Sequence, residues 1–336
     1  GSTDDSLRLL HEYQKIDARI SVLTQENKHA GAARNAGLAK ARGTYLLFLD
    51  PDDFFEPTLL EEMLCAAQDV NADVVLCDGF YYNNITGKRK PAPLLLQRWN
   101  IPSKKPFNYK DNPDKILHIS IDCPWNKLFK KSFINRMGLT FQELRSANDV
   151  YFVDCALLLA ERITIVDKKL VNYRTNVHTS LQATRAKEPL NFYQALTAVR
   201  ERMLTEPRYP EIERTLLSLF IAGCRSHLNR ARDGQEYMTL YRFYLETGFS
   251  TWQLPSDDMA RFVYVDDKKW VDEVWSESPE DYLLKRWRSS EAEKTKIAER
   301  LSHSKGEDQR TVKDIHDSDD GDRIKYYRSY RIGCAI

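Results

Sequence analysis

The sequence predicts an α/β protein with a mostly parallel, doubly wound sheet, followed by a mainly helical C-terminal region. The run from Tyr45 to Leu49 is apolar enough for a strand that is covered on both faces. Helix-like and strand-like segments alternate as far as Cys77, which is typical of a parallel sheet. Beyond Ala186 the apolar residues recur at helical spacing instead.

Length, charge and cysteine usage narrow the class of protein. A chain of 336 residues with 42% hydrophobic content is long enough for one large or two ordinary domains. The formal net charge of +1 argues against a nucleic-acid partner. The longest apolar runs fall short of the ~20 residues that span a bilayer. The six cysteines lack Cys-x-x-Cys spacing, so we expect reduced core thiols and a cytoplasmic location.

An acidic cluster directly follows the central strand. The carboxylates of Asp50, Asp52 and Asp53 surround Pro51, which cannot donate to a sheet ladder and so should end the strand. Open α/β sheets bind ligands at this carboxyl edge. Hard oxygen ligands suit Mg²⁺ or Mn²⁺, which often also hold substrate phosphates. A solvated acidic turn before the next helix is the alternative, because such turns are common.

Short helices and strands are predicted before and after the strand at Tyr45. Asp5 should cap an amphipathic helix, and a strand is predicted from Ile20 to Leu23. Small residues dominate the helical segment up to Ala39, so it can lie close to a sheet or a ligand. Further along we expect a helix from Leu59 to Ala67, a strand from Asp73 to Cys77, and a long loop on the binding edge from Phe80 to Asp114.

Two more polar groups and a helical region complete the chain. Trp125, Asn126 and Lys127 lie in a strand-like run, and Asn148-Asp149 begins a helix, where the aspartate is either an N-cap or a functional group. We predict three regions: an α/β domain over 1–185, a helical region over 186–302, and a charged linker with a basic and aromatic tail over 303–336. The tail could contact an anionic membrane surface or dock on the protein.

Together these segments resemble the family 2 glycosyltransferases, which are inverting enzymes with the Rossmann-like GT-A fold. The resemblance is carried by six ordered elements: the segment Gly1 to Ser6, Asn27 with Ala33-Arg34-Asn35-Ala36-Gly37, Asp50-Pro51-Asp52, Trp125-Asn126-Lys127, Asn148-Asp149 where Glu-Asp is usual, and Tyr173-Arg174 with His178. The segment from Gly1 to Ser6 is similar to the part that follows the family's second nucleotide-binding strand. The resemblance therefore implies that the first strands of the fold are missing from this chain.

The resemblance implies sugar transfer from a nucleotide-diphosphate sugar, most often a UDP-sugar, in surface polysaccharide or lipopolysaccharide synthesis. The acceptor would be a saccharide or a lipid-linked glycan, and the cofactor Mn²⁺ or Mg²⁺. The implied roles are: Asp149 as the general base; Asp4, Asn27, Arg34, Asn35 and Asp50 at the donor; Trp125, Asn126, Lys127, Asn148 and Arg174 at the acceptor; and Asp52 and His178 on the metal. Structural roles stay open for Trp125, Asn35 and His178.

Two alternatives belong to other classes. The chain could be a catalytically incomplete GT-A fragment that acts only as a binding or structural module. It could also be a sugar-nucleotide nucleotidyltransferase, but that class needs a glycine-rich phosphate loop and a lysine near its start, and the sequence shows neither.

Overall fold

The computed structural model describes residues 2–175, 188–231 and 233–289. The chain divides into two compact units between Leu216 and Leu217. The predicted metal ligand His178 and the region 303–336 lie outside the described residues.

The first unit is built on a six-stranded sheet. Its strands are β1 (Tyr45–Leu47), β2 (Phe54–Phe55), β3 (Val74–Asn83), β4 (Arg89–Pro91), β5 (Lys127–Lys130) and β6 (Ile163–Thr175). The strand order is β1-β5-β3-β6-β2, and β4 pairs with β3. The prediction of an α/β protein is confirmed.

The sheet is mixed rather than mostly parallel. Strands β3 and β6 pair in parallel, whereas β5 runs antiparallel to both β1 and β3. The chain reverses direction between β3 and β4, and after the long connection β5 runs in the same direction as β4, so it enters between β1 and β3 antiparallel to both. The apolar pattern of a strand does not reveal its direction, which depends on this connection.

The central pair of strands carries a register irregularity. Cys77 pairs with Val166, Asp78 with Lys169, and Gly79 with Val171, so β6 contains extra residues at this point. A Cβ atom on Gly79 would lie 2.6 Å from the carbonyl oxygen of Val171. Glycine therefore allows the two backbones to approach where the register shifts.

Six α-helices lie entirely within the described part of the first unit. They are α1 (Ser6–Ile16), α2 (His29–Lys40), α3 (Leu59–Asp69), α4 (Lys131–Met137), α5 (Val150–Leu159) and α6 (Asn191–Leu204). Helix α5 is buried along its whole length except at Tyr151. Helix α3 packs the side chains of Met63 and Ala67 into the core cluster that includes Val75 and Leu170. Burial of these apolar side chains is the main force that holds the unit together.

The first residues of the chain depart from the predictions. Helix α1 forms, but Asp5 makes no capping hydrogen bond, and none of its residues is buried. Its apolar residues are between 39% and 81% exposed. The prediction of a strand from Ile20 to Leu23 is wrong, because this segment is irregular and pairs with no strand of the described sheet. A strand needs a hydrogen-bonded neighbour, which periodicity cannot supply.

The second unit is helical, as predicted. Helix α7 (Tyr209–Arg230) runs through the division, and α8 (Gly234–Phe243), a π-helical turn (Tyr244–Gly248), α9 (Phe249–Thr251) and α10 (Val265–Ser276) follow, with a further helical stretch over 279–289. The ring of Phe220 stacks on Trp252 with centroids 4.5 Å apart. Within the described ranges, no helix combines the length and apolarity needed to cross a bilayer.

Candidate active site

The carboxylate turn after β1 is formed by Asp50 to Asp53. Asp52 is exposed, whereas Asp53 is partly buried and its Oδ1 accepts a hydrogen bond from the backbone N–H of Arg174 at 2.8 Å. Burial, with the negative charges of Asp52 and Asp50, raises the pKa of Asp53 to about 7. The turn therefore presents one solvent-facing carboxylate beside one that is held against β6.

Arg34 links this turn to the start of α5. Its guanidinium donates to Asp50 Oδ1 at 2.6 Å and to Asn148 Oδ1 at 2.8 Å. The Arg34 side chain is only 14% exposed, so these charge-assisted contacts are partly shielded from water. Two segments that lie far apart in sequence thus meet at one arginine.

The close approach of α2 makes this link possible. A Cβ atom on Gly31 would lie 1.9 Å from the backbone oxygen of Gln142, so only glycine fits there. The Asn35 side chain donates to the carbonyl of Phe141 and accepts from its N–H, both at 2.8 Å. This pair of bonds gives Asn35 the turn-holding role that the sequence left open, and both ends of its amide are engaged.

Asp149 stands at the first turn of α5. It is the N-cap residue of the helix, but its side chain makes no capping hydrogen bond. Burial raises the pKa of the Cys123 thiol to about 12, and the charges of Asp149, Asp50 and Asp122 act in the same direction. Asp149 directly follows Asn148, which Arg34 joins to Asp50, so the predicted base is adjacent in sequence to a residue that contacts the carboxylate turn through Arg34.

The predicted acceptor residues Asn126 and Lys127 are fully buried. Lys127 Nζ donates to four oxygen atoms: Ser120 Oγ at 2.9 Å, and Ile121 O, Cys123 O and Asn126 Oδ1 at 2.8 Å each. The Asn126 amide in turn donates to Cys77 O at 3.1 Å and Leu95 O at 2.8 Å. Neither side chain is accessible to an acceptor in this structure, and both hold the segment before β5.

The side chains of Trp125 and Arg174 also pack against other residues of the protein. Trp125 is 4% exposed and stacks on Tyr173, with ring centroids 5.3 Å apart. The Arg174 guanidinium lies 5.0 Å from the Phe54 ring centroid and donates to Asn84 Oδ1. Stacking of an acceptor sugar on Trp125, as the sequence predicted, would require Tyr173 to move.

Asp4 and Asn27 make only local contacts among the bonds that the structure shows. Asp4 Oδ1 accepts from the Ser6 N–H at 3.1 Å, and the hydrogen bonding of Ser6 lowers the pKa of Asp4. Asn27 Oδ1 accepts from the His29 N–H at 3.1 Å. Both residues are exposed, so their predicted contacts with a donor stay predictions.

The fit to a divalent cation can be judged from the described residues. No group of three or more potential metal-ligating side chains exists among them. Asp52 offers an exposed carboxylate, while Asp50 is paired with Arg34. This arrangement fits a cation that the protein shares with a phosphate ligand, rather than a cage made only of protein.

Several residues of this region escaped sequence reasoning. They are Gly31, Asp122 and Asp154, while Asp53 and Tyr173 were named in motifs but given no role of their own. Asp154 carried a signal, because it is the sole charged residue in the sequence of α5. The close contact at Gly31 left no comparable signal among the many small residues of α2.

Comparison with known proteins identifies the class. Residues 1–138 match the family described as "Glycosyl transferase family 2". This part of the chain is therefore a family 2 glycosyltransferase domain, which confirms the resemblance inferred from the motifs.

Individual relatives agree with this assignment. The chain is 33% identical to the putative glycosyltransferase EpsH of Bacillus subtilis over 190 residues, which are 56% of this chain and 54% of EpsH. It is 23% identical to the poly(ribitol-phosphate) beta-N-acetylglucosaminyltransferase TarS of Staphylococcus aureus over 205 residues, 60% of this chain and 34% of TarS. The chain spans about half the length of EpsH and a third of TarS.

A solved structure shares the fold. The crystal structure of S. aureus TarS 1-349 in complex with UDP-GlcNAc matches with a TM-score of 0.57 and 19% identity, covering 73% of this chain and 69% of that one. At this identity the match shows a common GT-A architecture and nothing finer.

Proposed function

We propose that the chain is an inverting, metal-dependent glycosyltransferase that uses a nucleotide-diphosphate sugar. The acceptor is a saccharide or a lipid-linked glycan in surface polysaccharide or lipopolysaccharide synthesis. The observation that carries the proposal is the contact of Arg34 with both Asp50 and Asn148. It brings a carboxylate turn suited to a cation and a diphosphate next to Asp149, a carboxylate able to act as a base.

Asp149 would accept the proton of the acceptor hydroxyl while its oxygen attacks the anomeric carbon. The bond from that carbon to the diphosphate breaks as the new glycosidic bond forms, which inverts the configuration. Asp52 and His178 would hold Mn²⁺ or Mg²⁺, while Asp50, which is paired with Arg34, would face the donor. When bound, the cation supplies charge neutralisation for the leaving diphosphate.

Two further observations support the finer parts of the proposal. The TarS structure that shares the fold contains UDP-GlcNAc, which favours a UDP-sugar as donor. The five cysteines in the described part of the chain are free thiols, which favours a reducing, cytoplasmic compartment. A peripheral contact of the C-terminal tail with the inner face of the membrane completes the proposed location.

A thermal-shift panel tests the donor site. UDP, GDP, CDP and ADP are added with and without Mn²⁺ to the wild type, to Asp52→Ala and to the control Asp69→Ala, which removes an exposed carboxylate at the end of α3. We expect UDP with Mn²⁺ to stabilise the wild type and the control, by about 2.7 kcal/mol at a hundredfold excess over Kd. Asp52→Ala should lose this shift.

A second variant separates binding from chemistry. Asp149→Asn should keep the nucleotide shift and lose sugar transfer, because it removes the base while leaving the carboxylate turn intact. If no nucleotide shifts the wild type, the proposal fails, and the alternative of a catalytically incomplete domain that acts as a binding or structural module gains support.

A further inference from the structure

Asp154 is a buried acid without a fixed donor. Its side chain is fully buried in α5, and neither carboxyl oxygen accepts a hydrogen bond from an N–H or hydroxyl group in the described part of the chain. An ionised carboxylate in such a place is strongly disfavoured. Some other group must therefore satisfy it.

The Asp122 carboxyl is that group. It lies within hydrogen-bonding reach of Asp154 and raises the pKa of Asp154, second to the effect of burial. Two carboxylates cannot hydrogen-bond unless one of them carries a proton, since ionised carboxylates are acceptors only. The geometry of this pair therefore requires one proton.

The pair also joins two elements. Asp122 lies in the turn of residues 120–123, whose Ser120 hydroxyl and Ile121 and Cys123 carbonyls surround the Lys127 ammonium. Asp154 lies in α5, the helix that begins directly after Asp149. A bond between the two carboxyls thus ties the Lys127 turn to the helix that carries the proposed base.

The charged groups around the pair balance it. The Lys127 charge favours ionisation of Asp154, and the Asp149 charge opposes it. His118 is the last residue of a short 3-10 helix, Ile116–His118, that packs on α5, and burial lowers its pKa to about 4, so it is neutral above that pH. Burial raises the pKa of the neighbouring Cys155 thiol, and Arg202 in α6 and Glu206 just after that helix shift this pKa in opposite directions. The Lys127 ammonium carries one positive charge, and the Asp122–Asp154 pair with a single proton carries one negative charge. The net charge of these three side chains is therefore zero.

We propose that Asp122 and Asp154 share a single proton, and that this carboxyl pair holds the Lys127 turn against α5 and so positions Asp149. Both are positioning residues, and only their effect on Asp149 rests on the proposed function. Loss of the proton places a negative charge on the fully buried Asp154 opposite the charge of Asp122, which forces the turn and the helix apart.

Infrared difference spectroscopy at neutral pH tests the shared proton, and every protein compared carries Asp53→Asn, because the pKa of Asp53 is raised to about 7 and its carboxyl would add a second band. The wild-type pair should show the carbonyl stretch of a protonated carboxylic acid, and both Asp154→Asn and Asp122→Asn should lose it, because the pair holds one proton. The control Asp73→Asn removes another buried carboxylate, one that accepts from the N–H groups of Glu161 and Arg162, and should keep the band. A missing wild-type band, or a band that survives in either pair variant, overturns the proposal.

The pH dependence of unfolding gives a second readout. Because the folded pKa of Asp154 is raised, the stability that the shared proton supplies is present at low pH and lost as pH rises through that pKa. The wild-type melting temperature should fall towards alkaline pH, and Asp154→Asn should reduce that fall. An equal fall in both proteins contradicts the pair.

Both measurements need neither nucleotide nor sugar. A protein that shows the infrared band but transfers no sugar contradicts the proposed function alone. Where transfer is measured, the pair predicts an alkaline loss of kcat in the wild type that is absent in Asp154→Asn. An identical alkaline limb in the two proteins contradicts the positioning role.

Discussion

Two polar clusters of the first unit look alike in sequence and differ in structure. The open cluster comprises Arg34, Asp50, Asp52, Asn148 and Asp149, and the buried cluster comprises Ser120, Asn126 and Lys127 with the carbonyls around them. In the buried cluster every donor of Lys127 meets an oxygen of the protein. In the open cluster Asp52 faces solvent. The comparison teaches that the saturation of hydrogen bonds, and not the residue type, distinguishes scaffold residues from candidate ligand-binding residues.

The largest effect on stability is expected at the buried cluster. Lys127→Met leaves its four oxygen acceptors without their donor in a dry place and should lower the free energy of unfolding by about 3–5 kcal/mol. The control Lys130→Met lies in the same strand as Lys127. It removes an exposed hydrogen bond to Asn71 and should lower the free energy of unfolding by about 0.5 kcal/mol or less. Urea denaturation measures both, and similar losses in the two variants would erase the distinction between the clusters.

The burial of His118 should also make the free energy of unfolding decrease in acid. The folded pKa of His118 is about 4, below its ordinary value of 6.5, because burial disfavours the charged ring. Its contribution to stability is full above pH 6.5 and is lost as pH falls towards 4, by at most about 3 kcal/mol.

His118→Asn should therefore flatten the decline of the urea midpoint between pH 6.5 and 4. The control His11→Asn changes an exposed histidine of α1 and should leave the slope as it is. An unchanged slope in His118→Asn would show that this ring has the same pKa in the folded and unfolded states, and the effect of burial would then be absent.

The approach of α2 to the open cluster can be broken without touching a polar side chain. Gly31→Ala places a methyl group against the Gln142 carbonyl and should cost about 1–3 kcal/mol, while it separates Arg34 from Asn148. Gly37→Ala lies in the same helix in open space and should stabilise by about 0.5–1 kcal/mol. Thermal melting and the nucleotide shift should both fall in the first variant only.

The smallest effect on stability is expected at Asp52. Asp52→Asn changes an exposed side chain and should alter the free energy of unfolding by no more than about 0.5 kcal/mol. A loss above about 1 kcal/mol would show that the carboxylate serves the fold, and the open cluster would then lose its distinguishing feature.

Local patterns predicted the elements better than their partners. The strand at Tyr45, the helix beginning at Leu59 and the helical stripes beyond Ala186 form where apolar periodicity indicated. The direction of β5 and the irregular segment at Ile20 depend on distant neighbours, which periodicity does not encode. Prediction was therefore reliable for single elements and weak for their pairing.

The same limit applies to the site. The sequence placed the acidic turn and Asn148-Asp149 in one region, and the structure joins them through Arg34. It could not show that Trp125 stacks on Tyr173 or that Lys127 turns inward, because a polar motif is compatible with either side of the sheet. Only the folded environment decides whether such a residue finds its partners inside the protein.

Because β6 contains extra residues, the positions of Tyr173 and Arg174 at the candidate site depend on the length of that strand. Asp167 and Lys168 are exposed, and substitution there should be tolerated. Deletion of one residue there should not be tolerated, because a strand that loses one residue turns each later side chain to the opposite face. Tyr173 would leave Trp125, and the Arg174 N–H would leave Asp53. Natural variants should therefore differ freely in residue type at positions 167 and 168, while the number of residues in β6 stays constant.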